Sequence, residues 1–97
     1  SKKIPLMIDS YFNDMEKVLR NIYNFSMKNN YCVIVVGNSS YANLAIPTDQ
    51  ILADIGLNLG FSSAEVVVAR KLGTSSQQYK RVNNVNVLRE SLVILKK

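Results

Sequence analysis

The chain has 97 residues, of which 47% are hydrophobic and 20% are charged, and its mean hydropathy is +0.02. This composition predicts one small globular domain and excludes a membrane-spanning helix, because no apolar run approaches the roughly 18 residues that such a helix needs. The single cysteine, Cys32, excludes an internal disulfide and indicates a buried thiol in a reducing, cytoplasmic setting.

The formal net charge of +5 is concentrated in the C-terminal third of the chain. Residues 1–69 contain five Lys/Arg and six Asp/Glu, whereas residues 70–97 contain seven Lys/Arg and one Glu. This asymmetry favours a polyanionic partner. Lysines on a solvated surface would give the same pattern, so both interpretations stay open.

The first predicted element is an amphipathic helix over residues 8–27, in which apolar side chains recur every three to four positions. After a turn at residues 28–30, the run YCVIVV at 31–36 is rich in β-branched residues. Such a run is typical of a strand buried on both faces, and in an α/β protein it is usually a central parallel strand. The segment Gly37-Asn38-Ser39-Ser40 ends the strand.

A second helix is predicted over residues 49–59, with Thr48 as its N-terminal cap and Gly60 as its stop. Asp49 lies in the first turn of this helix, where a carboxylate complements the helix dipole. Residues 64–69 (AEVVVA) predict the next strand. The resulting strand–helix–strand unit predicts a right-handed crossover and a parallel pair of strands.

The last predicted strand, residues 92–95 (LVIL), follows a polar loop over residues 71–90. Loops of this length are uncommon in compact domains and are usually functional or disordered. Arg89-Glu90-Ser91 opens the strand, and we interpret it as a structural ion pair that fixes the return of the loop, with a loop anchor as the alternative.

The sequence contains no recognisable catalytic apparatus. Histidine is absent, which removes a histidine base, triad or metal ligand, and the carboxylates do not cluster at metal-ligand spacing. The four glycines form no Gly-x-Gly, so no phosphate-binding or dinucleotide-binding loop is encoded. We therefore assign no catalytic, cofactor-binding or metal-binding residue.

Two polar segments are candidate binding sites. Gly37-Asn38-Ser39 follows a predicted parallel strand, at the sheet edge where open α/β proteins bind ligands; a turn that serves backbone geometry alone is an equal alternative. The second segment combines cations with small polar side chains, which suits contact with nucleic-acid phosphates. Its candidate residues are Arg70, Lys71, Ser75, Ser76, Gln77, Lys80 and Arg81.

Four stretches of the chain carry a family resemblance through their order and spacing. They are YFNDMEKVLRNIY, YCVIVVGNSSYANLAIPTDQILADIGLNLGF, VVVARKLGTSSQ and LRESLVIL, which together cover most of residues 11–95. In this arrangement the chain resembles the C-terminal half of the catalytic domain of S-adenosylmethionine-dependent DNA methyltransferases that act on a base amino group, the DNA modification methylases. Methyltransferases that act on tRNA share much of the pattern.

The resemblance implies an α/β fold with part of a Rossmann-like methyltransferase sheet. Strands 31–36 and 64–70 would run parallel, with strand 91–96 inserted between them and antiparallel to both, and two main helices would flank the sheet. Gly37-Asn38-Ser39 and the segment from Arg70 to Gln77 would border the pocket for a flipped target nucleotide. Whether the target is adenine or cytosine, and DNA or RNA, stays open.

The chain lacks two motifs of that family, the Gly-rich loop for S-adenosylmethionine and the Asp/Asn/Ser-Pro-Pro-aromatic motif. Both normally precede a helix like residues 8–27. We therefore expect a substrate-side fragment that is inactive alone and does not bind the cofactor, which the full-length protein would use. Strand 31–36 would lack a neighbour, and we expect self-association through its exposed edge.

Two other functions fit the same sequence. A non-catalytic nucleic-acid-binding module would use the basic C-terminal third and bind in a salt-sensitive manner. A structural or interaction remnant would have a basic loop that is merely solvated.

Overall fold

In a computed structural model of the chain, the structure describes residues 3–41, 44–71 and 89–97. The described residues form an α/β protein with two helices, as the sequence predicts, and with a short hairpin that the sequence does not predict. The elements in chain order are α1 (Lys3–Phe25), β1 (Tyr31–Gly37), β2 (Ser39–Tyr41), β3 (Leu44–Ile46), α2 (Thr48–Leu59), β4 (Ser63–Lys71) and β5 (Arg89–Lys96).

Helix α1 begins five residues earlier than predicted and ends at Phe25. The turn that follows contains Asn29 with φ +72°, a left-handed conformation that Asn tolerates better than most residues. The carboxyl end of the helix is capped from the other end of the chain. The ammonium of Lys97 donates to the carbonyl oxygens of Tyr23 at 2.6 Å and Ser26 at 2.9 Å, where a cation complements the helix dipole.

The main sheet has three strands in the order β1–β5–β4. The expected insertion of the last strand between the other two, antiparallel to both, is confirmed by the pairing of Val35 with Leu92 and of Leu92 with Val67. The two predicted parallel strands are not confirmed as a hydrogen-bonded pair. Strands β1 and β4 run in the same direction, but β5 fills the position between them, so every pairing in the sheet is antiparallel.

The prediction that β1 is a central strand buried on both faces is wrong. Within the described residues β1 pairs only with β5 and forms one edge of the sheet. Its even-numbered side chains pack into the core, where Val36 is 6% exposed, whereas Val33 and Val35 on the other face are 55% and 66% exposed. The apolar run therefore reflects two apolar faces, of which the described helices cover one.

Both helices pack on the same face of the sheet. The core between them and the strands contains the buried side chains of Leu19, Val36, Leu52, Ala53, Phe61, Val93 and Leu95. Leu19 from α1 and Leu52 from α2 are fully buried there. Each such side chain removes enough apolar surface from water to contribute roughly 1.5–3 kcal/mol, so helix–sheet packing is the main source of stability.

The two ends of α2 correct one prediction and confirm another. Thr48 is the first helical residue, follows Pro47 and makes no side-chain cap, so its predicted capping role is wrong. The amide oxygen of Asn38 accepts instead from the backbone N–H of Asp49 at 3.0 Å. Gly60 ends the helix with φ +120°, a conformation that favours glycine.

We expect Leu19→Ala to lower the free energy of unfolding by about 3 kcal/mol, because the side chain is fully buried and its loss leaves a cavity. The adjacent Val18→Ala is the matched control, since Val18 is 47% exposed and its truncation is expected to change stability by at most about 0.5 kcal/mol. Urea unfolding followed by circular dichroism measures both. Equal effects of the two variants would contradict the packing of α1 described above.

Candidate nucleic-acid interface

The carboxyl ends of β1 and β4 and the start of β5 lie at the same end of the sheet. Gly37 pairs with Glu90, which on its other side pairs with Arg70. Lys71 pairs with Arg89 in the next row. The structure thus brings together residues from the two predicted binding segments, which are 33 positions apart in the sequence from Gly37 to Arg70. We call this end of the sheet the binding edge.

Asn38 lies at the binding edge, but its side chain is directed inward and is 3% exposed. Its Oδ1 accepts from the backbone N–H of Asp49 at 3.0 Å, and its own backbone N–H donates to the carbonyl oxygen of Arg89 at 2.9 Å. Asn38 therefore joins the end of β1 to the starts of α2 and β5. The next predicted residue, Ser39, begins β2, where its backbone pairs with Ile46.

Arg70 and Lys71 are exposed at the end of β4. The guanidinium of Arg70 lies 3.5 Å from the carboxylate of Glu90, and both side chains are well exposed. Such an exposed ion pair contributes roughly 0–1 kcal/mol, so Arg70 can exchange Glu90 for another anion at small cost. The other predicted site residues, Ser75, Ser76, Gln77, Lys80 and Arg81, lie outside the described residues and stay predictions.

A buried carboxylate lies directly behind the binding edge. Asp49 is 0% exposed, and its Oδ2 accepts from Arg89 Nε at 2.9 Å and from Ser91 Oγ at 2.8 Å. Its Oδ1 accepts from the backbone N–H of Gln50 at 2.7 Å. The sequence around Asp49 indicates only an interaction with the helix dipole, because the partners of its carboxylate on β5 lie about forty positions away.

The ionised form of Asp49 is stabilised by its surroundings. Burial raises the pKa of the Asp49 carboxyl, but hydrogen bonds from the Arg89 guanidinium and the Ser91 hydroxyl lower it more. Asn38 and the backbone N–H of Gln50 act in the same direction, so the pKa lies below its usual value. Because the carboxylate is fully partnered and sealed from solvent, it is a structural group and not a proton donor or acceptor for a reaction.

The interpretation of Arg89-Glu90-Ser91 as a structural element agrees with these contacts, although the pairing differs from a local ion pair. Arg89 pairs with Asp49 and Glu90 pairs with Arg70. The two charges of the segment therefore fix the start of β5 to α2 on one side and to β4 on the other.

A pocket of about 420 Å³ opens beside the binding edge, between the N-terminal half of α1 and the end of β1. It is lined by Met7, Ile8, Tyr11, Phe12, Gly37, Ile46 and Thr48. The rings of Tyr11 and Phe12 meet edge to face with their centroids 5.0 Å apart. The sequence does not predict a site on α1, because the same residues at helical spacing predict a core stripe.

The lining is mainly apolar with a few polar groups at its margin, which is the usual composition of a site for an organic ligand. Within the described ranges no group of three or more His, Cys, Asp or Glu side chains could hold a metal ion. Among the described helices none combines the length and the hydropathy that crossing a bilayer requires. The pocket therefore suits binding of a flat apolar group, at the end of the sheet that also carries the exposed cations of Arg70 and Lys71.

Comparison with known proteins found no matching family model, no matching curated protein and no matching solved structure.

We expect Asp49→Asn to lower the free energy of unfolding by about 3 kcal/mol, because it leaves the guanidinium of Arg89, which is only 21% exposed, without its counter-charge. Asp54→Asn on the exposed side of the same helix is the matched control, with an expected change of at most about 0.5 kcal/mol. Urea unfolding at pH 7 measures both variants. Coinciding transitions for Asp49→Asn and the unsubstituted chain would contradict the structural role of Asp49.

The same cluster predicts a defined pH dependence. The pKa of Asp49 is lower in the folded chain than the value of about 3.9 that applies after unfolding. Its stabilising effect is therefore complete above about pH 5 and is lost as the pH falls through the folded pKa. In urea unfolding between pH 7 and pH 2.5, the stability difference between the unsubstituted chain and Asp49→Asn should shrink below about pH 4. A difference that stays constant over this range would show that the charge of Asp49 is not involved.

Proposed function

We propose that this chain is the C-terminal, substrate-side part of a Rossmann-like, S-adenosylmethionine-dependent DNA methyltransferase that methylates a base amino group in the full-length protein. The observation that carries the proposal is the strand order β1–β5–β4. The family resemblance leads us to expect a last strand inserted antiparallel between two strands of common direction. Local sequence patterns alone do not predict this order, so the agreement supports the resemblance.

The unpaired edge of β1 gives further support. Within the described residues only β5 pairs with β1, although seven residues of β1 are available for hydrogen bonding. An apolar strand with one free edge readily accepts another strand. In the proposed full-length protein this neighbour belongs to the cofactor-binding half, and in the isolated chain we propose that a second copy pairs there.

The residues of this chain do not themselves fit S-adenosylmethionine. The four glycines are dispersed, at Gly37, Gly56, Gly60 and Gly73, so the chain supplies no glycine-rich loop through which backbone N–H groups approach the cofactor. The one described buried carboxylate, Asp49, is fully occupied by Arg89 and Ser91. We therefore assign the cofactor and the transfer step to the other half of the proposed enzyme and derive no step of it here.

For this chain we propose a role in holding the substrate. A base that leaves the duplex loses its stacking and pairing, and an enzyme that acts on it must replace those contacts. The pocket beside Gly37 offers the rings of Tyr11 and Phe12 for this purpose. Arg70 and Lys71 lie at the same end of the sheet, where cations contact the flanking phosphates. Such an enzyme would act in the cytoplasm.

A second candidate is a non-catalytic nucleic-acid-binding module. The exposed side chains of Arg70 and Lys71 favour this function. Among the described residues that pair at the binding edge, Glu90 is the only acidic side chain next to these two cations. An RNA methyltransferase of the tRNA type would use the same surface and differs from the leading proposal in its substrate.

The proposal is tested by methyl transfer. We expect the coding sequence upstream of Ser1 to encode, in frame, a Gly-rich strand–loop–helix and a Pro-Pro-aromatic motif. The complete product should then transfer tritiated methyl groups from S-adenosylmethionine to DNA, whereas the 97-residue chain should transfer none. Chromatography of the digested nucleosides distinguishes methylated adenine from methylated cytosine. The same assay with tRNA in place of DNA tests whether the enzyme acts on RNA. A complete product without these motifs, or without transfer to either nucleic acid, would overturn the methyltransferase proposal.

The binding-module alternative is distinguished by fluorescence anisotropy with a labelled duplex. Because Arg70 and Lys71 would each contact a phosphate, their joint replacement by Ala should reduce the slope of log affinity against log salt by about two. Joint replacement of Lys17 and Arg20 on α1 removes the same charge at a distance from the binding edge and is the control. Binding that depends on Arg70 and Lys71, together with a complete product that lacks transfer, would favour the module.

A further inference from the structure

The side of the β1–β5–β4 sheet that faces away from the helices is largely apolar, apart from Glu65, Glu90 and Lys96, and no described element covers it. Alternate residues of the three strands point to this side, which we call the open face. Its apolar side chains are Val33, Val35, Val67, Leu92 and Ile94. None of them belongs to the core that the helices cover, and the fold measures only 14 Å along its shortest axis. Within residues 3–41, 44–71 and 89–97, therefore, no third layer covers the open face.

The central strand of the open face has a self-complementary sequence. The outward residues of β5 are Glu90, Leu92, Ile94 and Lys96 in that order, with one residue between each. Read in reverse, the series runs basic, apolar, apolar, acidic. If a second β5 lies across the first in the opposite direction, Glu90 faces Lys96 of the second copy and Leu92 faces Ile94. On β5 each of the two charges then meets its opposite, and the apolar side chains meet one another, while the charged side chains of Glu65 and Arg70 lie on the outer strand β4.

The neighbouring strand β1 fits the same arrangement by shape. Its outward residues run from Tyr31 through Val33 and Val35 to Gly37, in the same rows as those of β5. Reversal places the ring of Tyr31, which is 65% exposed, over Gly37 of the second copy, where no side chain occupies the space. Val33 then faces Val35 of the second copy, and Val35 faces Val33 of the second copy. Charge on β5 and shape on β1 thus independently favour one orientation.

We propose that the open face binds a second copy of this chain, with the two sheets stacked face to face about a two-fold axis that crosses the strands near Val93. A two-fold axis makes the interface isologous, so that each Glu90–Lys96 contact occurs twice. Sheets stacked in this way lie about 10 Å apart. This interface uses the side chains of β5 and β1, whereas pairing at the β1 edge uses backbone groups, and it does not depend on the proposed methyltransferase function.

A charge-reversal cycle in analytical ultracentrifugation tests the proposal. The unsubstituted chain should dimerise, and Lys96→Glu should raise the dimer Kd about tenfold or more, because two attractive contacts become repulsive. Glu90→Lys should act in the same direction. The double variant Glu90→Lys/Lys96→Glu should recover most of the lost affinity, because the two charges have exchanged places. Lys17→Glu, which makes the same charge change on the exposed side of α1, should leave the Kd unchanged.

Val35→Lys provides a second, independent measurement, since it places a charge in the apolar centre of the proposed interface at a side chain that is 66% exposed in the single chain. Circular dichroism and urea unfolding check that each variant folds. A chain that stays monomeric near 1 mM would overturn the proposal. A dimer that is insensitive to both Lys96→Glu and Val35→Lys would also overturn it and would assign the association to the β1 edge. Failure of the double variant to recover affinity while it remains folded would reject the stated orientation.

Discussion

The hydrogen-bonded carboxylate of Asp49 connects parts of the chain that are distant in sequence. Asp49 opens α2, while its partners Arg89 and Ser91 open β5 about forty positions later. Asn38 extends the connection to the end of β1 through the backbone N–H of Asp49. A carboxylate removed from water is costly unless its hydrogen bonds are replaced, and here four groups replace them. The free-energy cost of burying Asp49 therefore favours the arrangement in which the end of β1 and the starts of α2 and β5 meet at this carboxylate.

This cluster also determines which groups remain for recognition at the binding edge. The side chains of Asn38 and Ser91 are buried, and Arg89 is engaged with Asp49. The exposed groups left in the described part of the edge are the backbone at Gly37, the cations of Arg70 and Lys71, and the carboxylate of Glu90, which pairs with Arg70. Recognition at this edge therefore combines an apolar pocket with non-specific attraction for anions, while the polar side chains that a sequence reader would assign to the ligand hold the scaffold together.

The elements that the sequence predicts well are those whose signals are local. Helical periodicity locates α1 and α2, and β-branched runs locate β1, β4 and β5, because each pattern is complete within about ten residues. The hairpin of β2 and β3 was missed because its strands have three residues each, too few to show alternation. The capping of α2 by Asn38 and not by Thr48, and the choice of Asp49 as the buried centre, depend on contacts between distant segments. No window of sequence contains both partners.

The wrong prediction that β1 is a central strand has a different physical origin. Residues 31–36 are apolar at every position, which correctly indicates that both faces of the strand avoid water, but it does not say what covers them. In the described fold the helices cover one face, and the other face and one edge of β1 remain open. These two openings are independent, because an added strand satisfies backbone hydrogen bonds in the plane of the sheet, whereas covering the face requires a layer above that plane. A neighbouring strand from the remainder of a methyltransferase domain would pair with the edge of β1, and helices of that remainder would cover the open face, because a Rossmann-like sheet carries helices on both faces. In the isolated chain these helices are not present, and stacking of two copies through Glu90 and Lys96 of the central strand β5 covers the open face instead.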